Sequence, residues 1–175
     1  MNYNNIFWEF VRGDLSTKDF EKYVYESQSL ENDLKSEYYQ FIIEANFKDL
    51  NEVEDLKNKI ENYLLKTHPP KCKCICVKDL DRTGFGTQFS EGLFSSLNEV
   101  KPRGEDFWWE STYRCNVCHQ NWLVAQDENY DDFYLMRIDE KIVQSIENKN
   151  EWPSVFDNYD RLSTVVSSSS RFSNY

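Results

Sequence analysis

The sequence predicts an α+β protein: an amino-terminal helical lobe packed on a small antiparallel sheet, with a knuckle-like cysteine cluster and a carboxy-terminal helix. Three observations carry that expectation. Before residue 68, apolar residues recur at helical spacing in a stretch with one Gly and no Pro. After Pro69 and Pro70 the chain changes to short runs of β-forming residues, and the remaining glycines fall there. Finally, four of the five cysteines form Cys-x-Cys, 40 intervening residues, then Cys-x-x-Cys. The expected boundaries are a helical lobe over 1–68, a β-rich lobe over 69–162 that holds both cysteine pairs, and a flexible tail over 163–175.

The elements follow in order. In "NIFWEFV", Ile6, Phe7, Phe10 and Val11 make one helical stripe. "LSTKDFEKYVYES" opens with Ser16 and Asp19 in a capping-box-like arrangement, with Phe20, Tyr23 and Val24 on one face. A helical pair is expected over Leu30 to Glu44, with Leu34, Tyr38, Phe41 and Ile42 inward. "DLNEVEDLKNKIENYLLK" is the most regular element, and Leu50, Val53, Leu56, Ile60, Tyr63 and Leu64 form its stripe. Consecutive prolines end the helical regime. Beyond them "KCKCICVK" alternates like a strand, and "DFWWESTYRC", "NWLVAQDE" and "DFYLMRI" read as further strands. The segment between them, residues 80–106, reads as a long connection whose "GFG" lacks the strand and helix of a phosphate-binding turn. "DEKIVQSIENK" predicts a helix with Ile142, Val143 and Ile146 inward, and "EWPSVFDNYDRL" a turn into a last helical piece. The serine-rich end is low in complexity.

Composition bounds the function. Hydrophobic residues make up 39% of the chain, and 12 Phe, 11 Tyr and 5 Trp supply large buried areas, enough for a folded core. The formal charge of -11 argues against nucleic acid, whose phosphates need a basic face, and suits a partner that is itself basic. No run approaches the roughly 20 apolar residues that span a bilayer. "MNYNNIFWEF" shows no basic region followed by an apolar run, so the expected compartment is the cytoplasm, where paired cysteines bind metal or do redox work.

"TYRCNVCHQNW" contains Cys-x-x-Cys-His, the pattern of a c-type haem attachment. Haem would need export and His119 as axial ligand, and would leave the other cysteine pair without a role. A thioredoxin-like dithiol should lie between a strand and a helix, whereas "CNVC" leads into another β-rich run. The bland alternative is four unliganded core cysteines. The spacing favours a structural zinc held by Cys72, Cys74, Cys115 and Cys118, because two short-spaced pairs on two turns reach tetrahedral corners. Lys71, Lys73 and Arg114 stand near to offset the surplus charge. Cys74 with Cys76 is the competing first pair, and His119 could replace one cysteine. A catalytic zinc usually mixes His or carboxylate with Cys and keeps an open position. No nucleophile with an adjacent base is evident, so no enzymatic activity is expected.

From Asp127 to Glu140 six acids face one base, Arg137. This run reads either as a solvated turn or as an edge offered to a basic partner, carried by Asp127, Glu128, Tyr130, Asp131 and Asp132 with aromatic anchors.

The chain resembles a group of small bacterial immunity proteins that neutralise toxins of contact-dependent growth-inhibition and related polymorphic toxin systems. The likeness lies in Phe10, Gly13, Phe20, Glu21, Tyr23, Tyr25, Leu30 and Glu31. It continues in Cys72, Cys74, Cys115, Cys118 and Trp122, in Asp131, Asp132, Tyr134 and Arg137, and in Trp152 and Pro153. His119 stands where that pattern commonly has Gly, and Cys76 is an extra. The resemblance implies a cytoplasmic antidote that binds one cognate toxin domain, often a nuclease, and blocks its active site or substrate groove. The rival from another class is a thiol-disulfide redox protein using the Cys-x-x-Cys dithiol.

Overall fold

A computed structural model describes residues 3–129 and 131–165, which fall into two compact units divided between Pro70 and Lys71. The first unit is wholly helical: α1 (Tyr3–Arg12), α2 (Thr17–Glu26), α3 (Leu30–Asp33), α4 (Ser36–Ile43) and α5 (Leu50–Thr67). Each start and stop has a local cause. Helix α1 ends at Gly13, whose φ of 83° lets the chain reverse while its N–H bonds Phe10 O at 3.0 Å. Ser16 Oγ accepts the Asp19 N–H at 3.1 Å and donates to the Asp19 carboxylate at 2.6 Å, so Ser16 caps α2 while Asp19 holds its hydroxyl. Asp49 caps α5 by accepting from the Asn51 N–H at 2.8 Å.

The core of this unit is aromatic. Phe20 is fully buried, stacks on Phe10 with centroids 3.8 Å apart, and meets Phe7 edge-on at 5.6 Å. Val53, Leu56, Ile60, Tyr63 and Leu64 of α5 are buried as the stripe requires. Leu50 is 81% exposed, contrary to its place in the stripe. Periodicity gives direction around a helix and says nothing of whether a partner lies opposite its end.

The second unit is built on one antiparallel sheet ordered β1-β5-β4-β3-β2. Its strands are β1 (Asp81–Gly84), β2 (Leu97–Pro102), β3 (Glu110–Cys115), β4 (Asn121–Asp127) and β5 (Asp132–Ile138). Helix α6 (Gln88–Phe94) joins β1 to β2, α7 (Glu140–Lys149) follows β5, and two 3-10 turns, Ser154–Phe156 and Tyr159–Arg161, lead to α8 (Leu162–Val165). The central strands β4 and β5 are paired over their whole length, Asn121 opposite Ile138 and Asp127 opposite Asp132. Strand alternation divides two cores. Trp122, Val124 and Leu135 pack with Leu93 and the cysteines on one face. Leu123, Ala125, Tyr134 and Ile138 pack with Val143, Ile146, Phe156 and Leu162 on the other.

Two expectations fail here. The segment read as a long connection holds β1, α6 and β2. β1 is only four residues long and ends in Gly84, so it carries no alternation to detect; its pairing with β5 makes it a strand. "KCKCICVK" is not a strand either, since Lys73–Cys76 forms a 3-10 turn. Of the expected flexible tail, residues 166–175 lie outside the described residues.

An ion-pair network ties the loop before β3 to the turns after α7. The buried Glu110 carboxylate accepts from Arg103 Nη1 at 2.6 Å, and Arg103 also bonds Asp157. Burial raises the Glu110 carboxyl above its ordinary value of 4.5, and Arg103 opposes the rise.

Phe20→Ala should cost about 4 kcal/mol of unfolding free energy, as for other buried Phe truncations, whereas Leu50→Ala should change it by less than about 0.5 kcal/mol; urea melts of both check this. Arg103→Met leaves Glu110 buried and unpaired, at a cost of about 3 kcal/mol at pH 7. A carboxyl whose folded pKa is raised favours the native state at low pH and loses that contribution as pH rises through the folded value. The Arg103→Met deficit should therefore shrink on acidification toward pH 4.5, the ordinary value of Glu110, in melts run across pH.

Candidate metal centre

The 3-10 turn Lys73–Cys76 and the β3–β4 hairpin bring four sulfurs together. Those of Cys72, Cys74, Cys115 and Cys118 all lie within 4.8 Å of one another. Tetrahedral bonds of about 2.3 Å set an edge of about 3.8 Å, so small side-chain rotations close the set around an ion. Cys74 and Cys115 are buried, Cys72 is half-buried and Cys118 is exposed. Cys76 is buried outside the group. The curl of the turn makes that selection, since a strand would have kept all three on one face.

Backbone amides shape each pair. Val117 and Cys118 present their N–H groups to the Cys115 sulfur at 3.4 and 3.5 Å. Burial acts to raise the Cys115 thiol, yet these two donors and the neighbouring thiols outweigh it and bring it down to about 6. On the other turn, burial and the Cys118 thiol push Cys72 up to about 11, against one Cys74 N–H that favours its thiolate. Cys74 is raised further by burial, opposed by the indole of Trp122.

Three features of the surroundings fit a thiophilic cation. The donor set is entirely sulfur, with no His or carboxylate in the group. The buried Trp122 Nε1 has no hydrogen-bond partner of ordinary geometry, and it lies against the Cys74 sulfur, where a metal-bound thiolate would accept its proton. Arg137 from β5 donates to Cys74 O at 3.2 Å and to Val77 O, while its guanidinium sits 5.3 Å from the Trp122 ring centre. It thus clamps the first turn and brings positive charge to the cluster. Beside the exposed Cys118, a shallow open depression of about 440 Å³ gives solvent access.

His119 is exposed and lies outside the sulfur group. Its φ of 62° is left-handed, and its N–H closes the turn on Cys115 O at 3.0 Å. That is a position where Gly is the easier residue.

The acidic edge fares unevenly. Asp127 is 3% exposed and accepts from the Asn129 N–H at 3.0 Å, so it serves the hairpin and is removed from any partner surface. A strand-terminal Asp that caps its own turn looks the same in sequence as a free one. Asp132 is half-buried 3.6 Å from Arg82, and burial raises its carboxyl against the pull of that arginine. Glu128 and Asp131 are exposed, and Tyr130 lies outside the described residues. Arg137 and Trp122 are the centre's supporting residues that spacing did not assign. The signal for Arg137 was that it is the only base in an acidic run.

Fold and site together define a small α+β protein with a four-cysteine cluster able to hold a metal ion. No family model matches the chain, and neither a curated protein nor a solved structure matches it. No helix among the described residues is long and apolar enough to cross a membrane.

Elemental analysis of the purified chain should find one equivalent of a thiophilic divalent metal. It should fall below a tenth in Cys74→Ser and Cys115→Ser and stay at one in Cys76→Ala. His119→Gly should also keep its metal and be neutral or more stable by up to about 1 kcal/mol, because it relieves the left-handed conformation at some entropic cost.

Proposed function

We propose that the chain is a non-enzymatic immunity protein that binds one cognate bacterial toxin domain, a nuclease, and neutralises it by tight one-to-one association in the cytoplasm. The observation that carries this reading is the charge of -11 on a chain whose cysteine chemistry is confined to a closed all-sulfur cluster. A toxin that cleaves nucleic acid has a basic substrate groove. An acidic protein can fill that groove by matching the charge pattern of phosphate, without any chemistry of its own. Attraction between the two fields speeds encounter, and a desolvated centre sets slow release. The likeness to immunity proteins in both halves of the chain supports the same reading. Nucleic acid itself is disfavoured as a partner by the sign of the charge.

In this reading the metal is zinc in a structural role. Cys72, Cys74, Cys115 and Cys118 would hold it as thiolates, a ligand set that suits a structural rather than a catalytic zinc. Its contribution is to fix the segment after the prolines to the β3–β4 hairpin, a tether that a small lobe draws on for stability.

The low thiol pKa of Cys115 favours a second reading, a dithiol redox protein. Against it, Cys115 is completely buried, and only Cys118 of that pair is open to solvent. A reductase of this kind would turn over an insulin disulfide with dithiothreitol, and metal-loaded protein should not.

An adjacent gene should encode a toxin, co-expression with its terminal domain should restore growth, and the two should elute as a 1:1 complex by light scattering. Failure of rescue with both proteins soluble overturns the immunity reading.

A further inference from the structure

Trp108 is the largest apolar side chain left open to solvent among the described residues, with 53% of its surface exposed. It follows the 3-10 turn Glu105–Phe107 and is part of a fixed aromatic group. Its ring meets Trp109 edge-on at 5.9 Å and Tyr159 at 5.4 Å. Both supports are themselves anchored. Trp109 Nε1 donates to Phe156 O at 3.0 Å, and the Tyr159 hydroxyl accepts from the Glu128 N–H at 3.2 Å. An exposed indole held by two pinned neighbours loses little freedom on contact, which is the property of an interface anchor.

The chain on either side of this group is acidic. Glu105 and Asp106 precede Trp108 in the same turn, Asp160 follows Tyr159, and Glu128 flanks the residue's hydroxyl; all four are exposed. Among the described residues none of the four is in an ion pair. The chain also displays how such a surface takes a cation. Arg103 lies 3.8 Å from the centre of the Phe107 ring while its guanidinium is held by Glu110 and Asp157. Ring face and carboxylate edge together are the two contacts a guanidinium uses best. At Trp108 the same composition is present on the surface with no cation over the ring among the described residues.

We propose that Trp108 and Tyr159, together with the neighbouring exposed Glu105, Asp106, Asp160 and Glu128, are the docking surface for an arginine-bearing face of the partner protein. The proposal deepens the toxin-binding reading and rests on it for the partner's identity. It moves the interaction centre from the β4–β5 hairpin, where Asp127 and Asp132 are committed internally, to the aromatic group beside it. Only Glu128 belongs to both.

The test uses the full chain and two readouts. Calorimetric titration with a nona-arginine peptide at low salt should show binding that weakens at least tenfold in Trp108→Ala. The triple change Glu105→Gln, Asp106→Asn, Asp160→Asn should weaken it as much, and Asp131→Asn should not. Unchanged affinity in both Trp108→Ala and the triple variant, with unaltered circular dichroism, overturns the surface. In the second readout, growth rescue against the toxin domain of the adjacent gene should be lost in Trp108→Arg. Rescue by Trp108→Arg equal to that of the parent chain overturns the surface and leaves immunity standing. If the parent chain gives no rescue, the immunity reading falls, and the peptide titration decides the surface alone.

Discussion

Four cysteine sulfurs within 4.8 Å of one another cannot all ionise unless something positive stands among them. Burial and neighbouring thiols hold Cys72 and Cys74 protonated, while amide donors favour the Cys115 thiolate. Left to themselves Cys72, Cys74 and Cys115 therefore hold their protons unequally. A divalent cation removes the conflict, because every donor already aimed at a sulfur then meets a thiolate. The Trp122 N–H is the sharpest case: it has no ordinary partner, and the Cys74 sulfur is the acceptor it faces.

Much of the sheet unit is arranged around that cluster. Cys72 and Cys74 lie before β1, Cys115 ends β3 and Cys118 lies in the turn to β4, so joining them closes a loop of 40 residues containing β1, α6, β2 and most of β3. β1, α6 and β2 have the weakest sequence patterns there, and a staple helps such elements most. β5 enters through Arg137, whose guanidinium binds the carbonyls of Cys74 and Val77 and faces the Trp122 ring. The first knuckle thus depends on a strand distant in sequence, and the acidic run's only base is committed to it.

What the sequence made legible follows from how local each cause is. The helices of the first unit announce themselves because their stripes, caps and terminal glycine act within a few residues. The paired cysteines are legible for the same reason, since spacing alone gives two turns with two donors each. β1 and α6 were missed because four and seven residues are too few to display a period, and their existence depends on strand pairing and on Leu93 packing into the core. The 3-10 turn was missed because alternation in "KCKCICVK" has two origins, a pleated strand or donors reserved for one centre. Only the geometry of the sulfurs separates them.

The charge shows the same division between composition and structure. Asp127, Glu110 and Asp132 count toward -11, yet each is buried or half-buried and held by the fold. An acidic protein thus contains two kinds of carboxylate, those that organise its turns and those that face outward, and only the second kind sets its field. Sheet alternation also keeps the metal centre apart from the aromatic group, because the cysteines pack with Trp122 on one face and Trp109 with Tyr159 on the other. A metal ion on the first face can therefore influence binding at the second only by holding the strands between them in register. In the proposed reading a structural metal would secure the sheet, while the outward carboxylates would attract the partner that the exposed indole is proposed to hold.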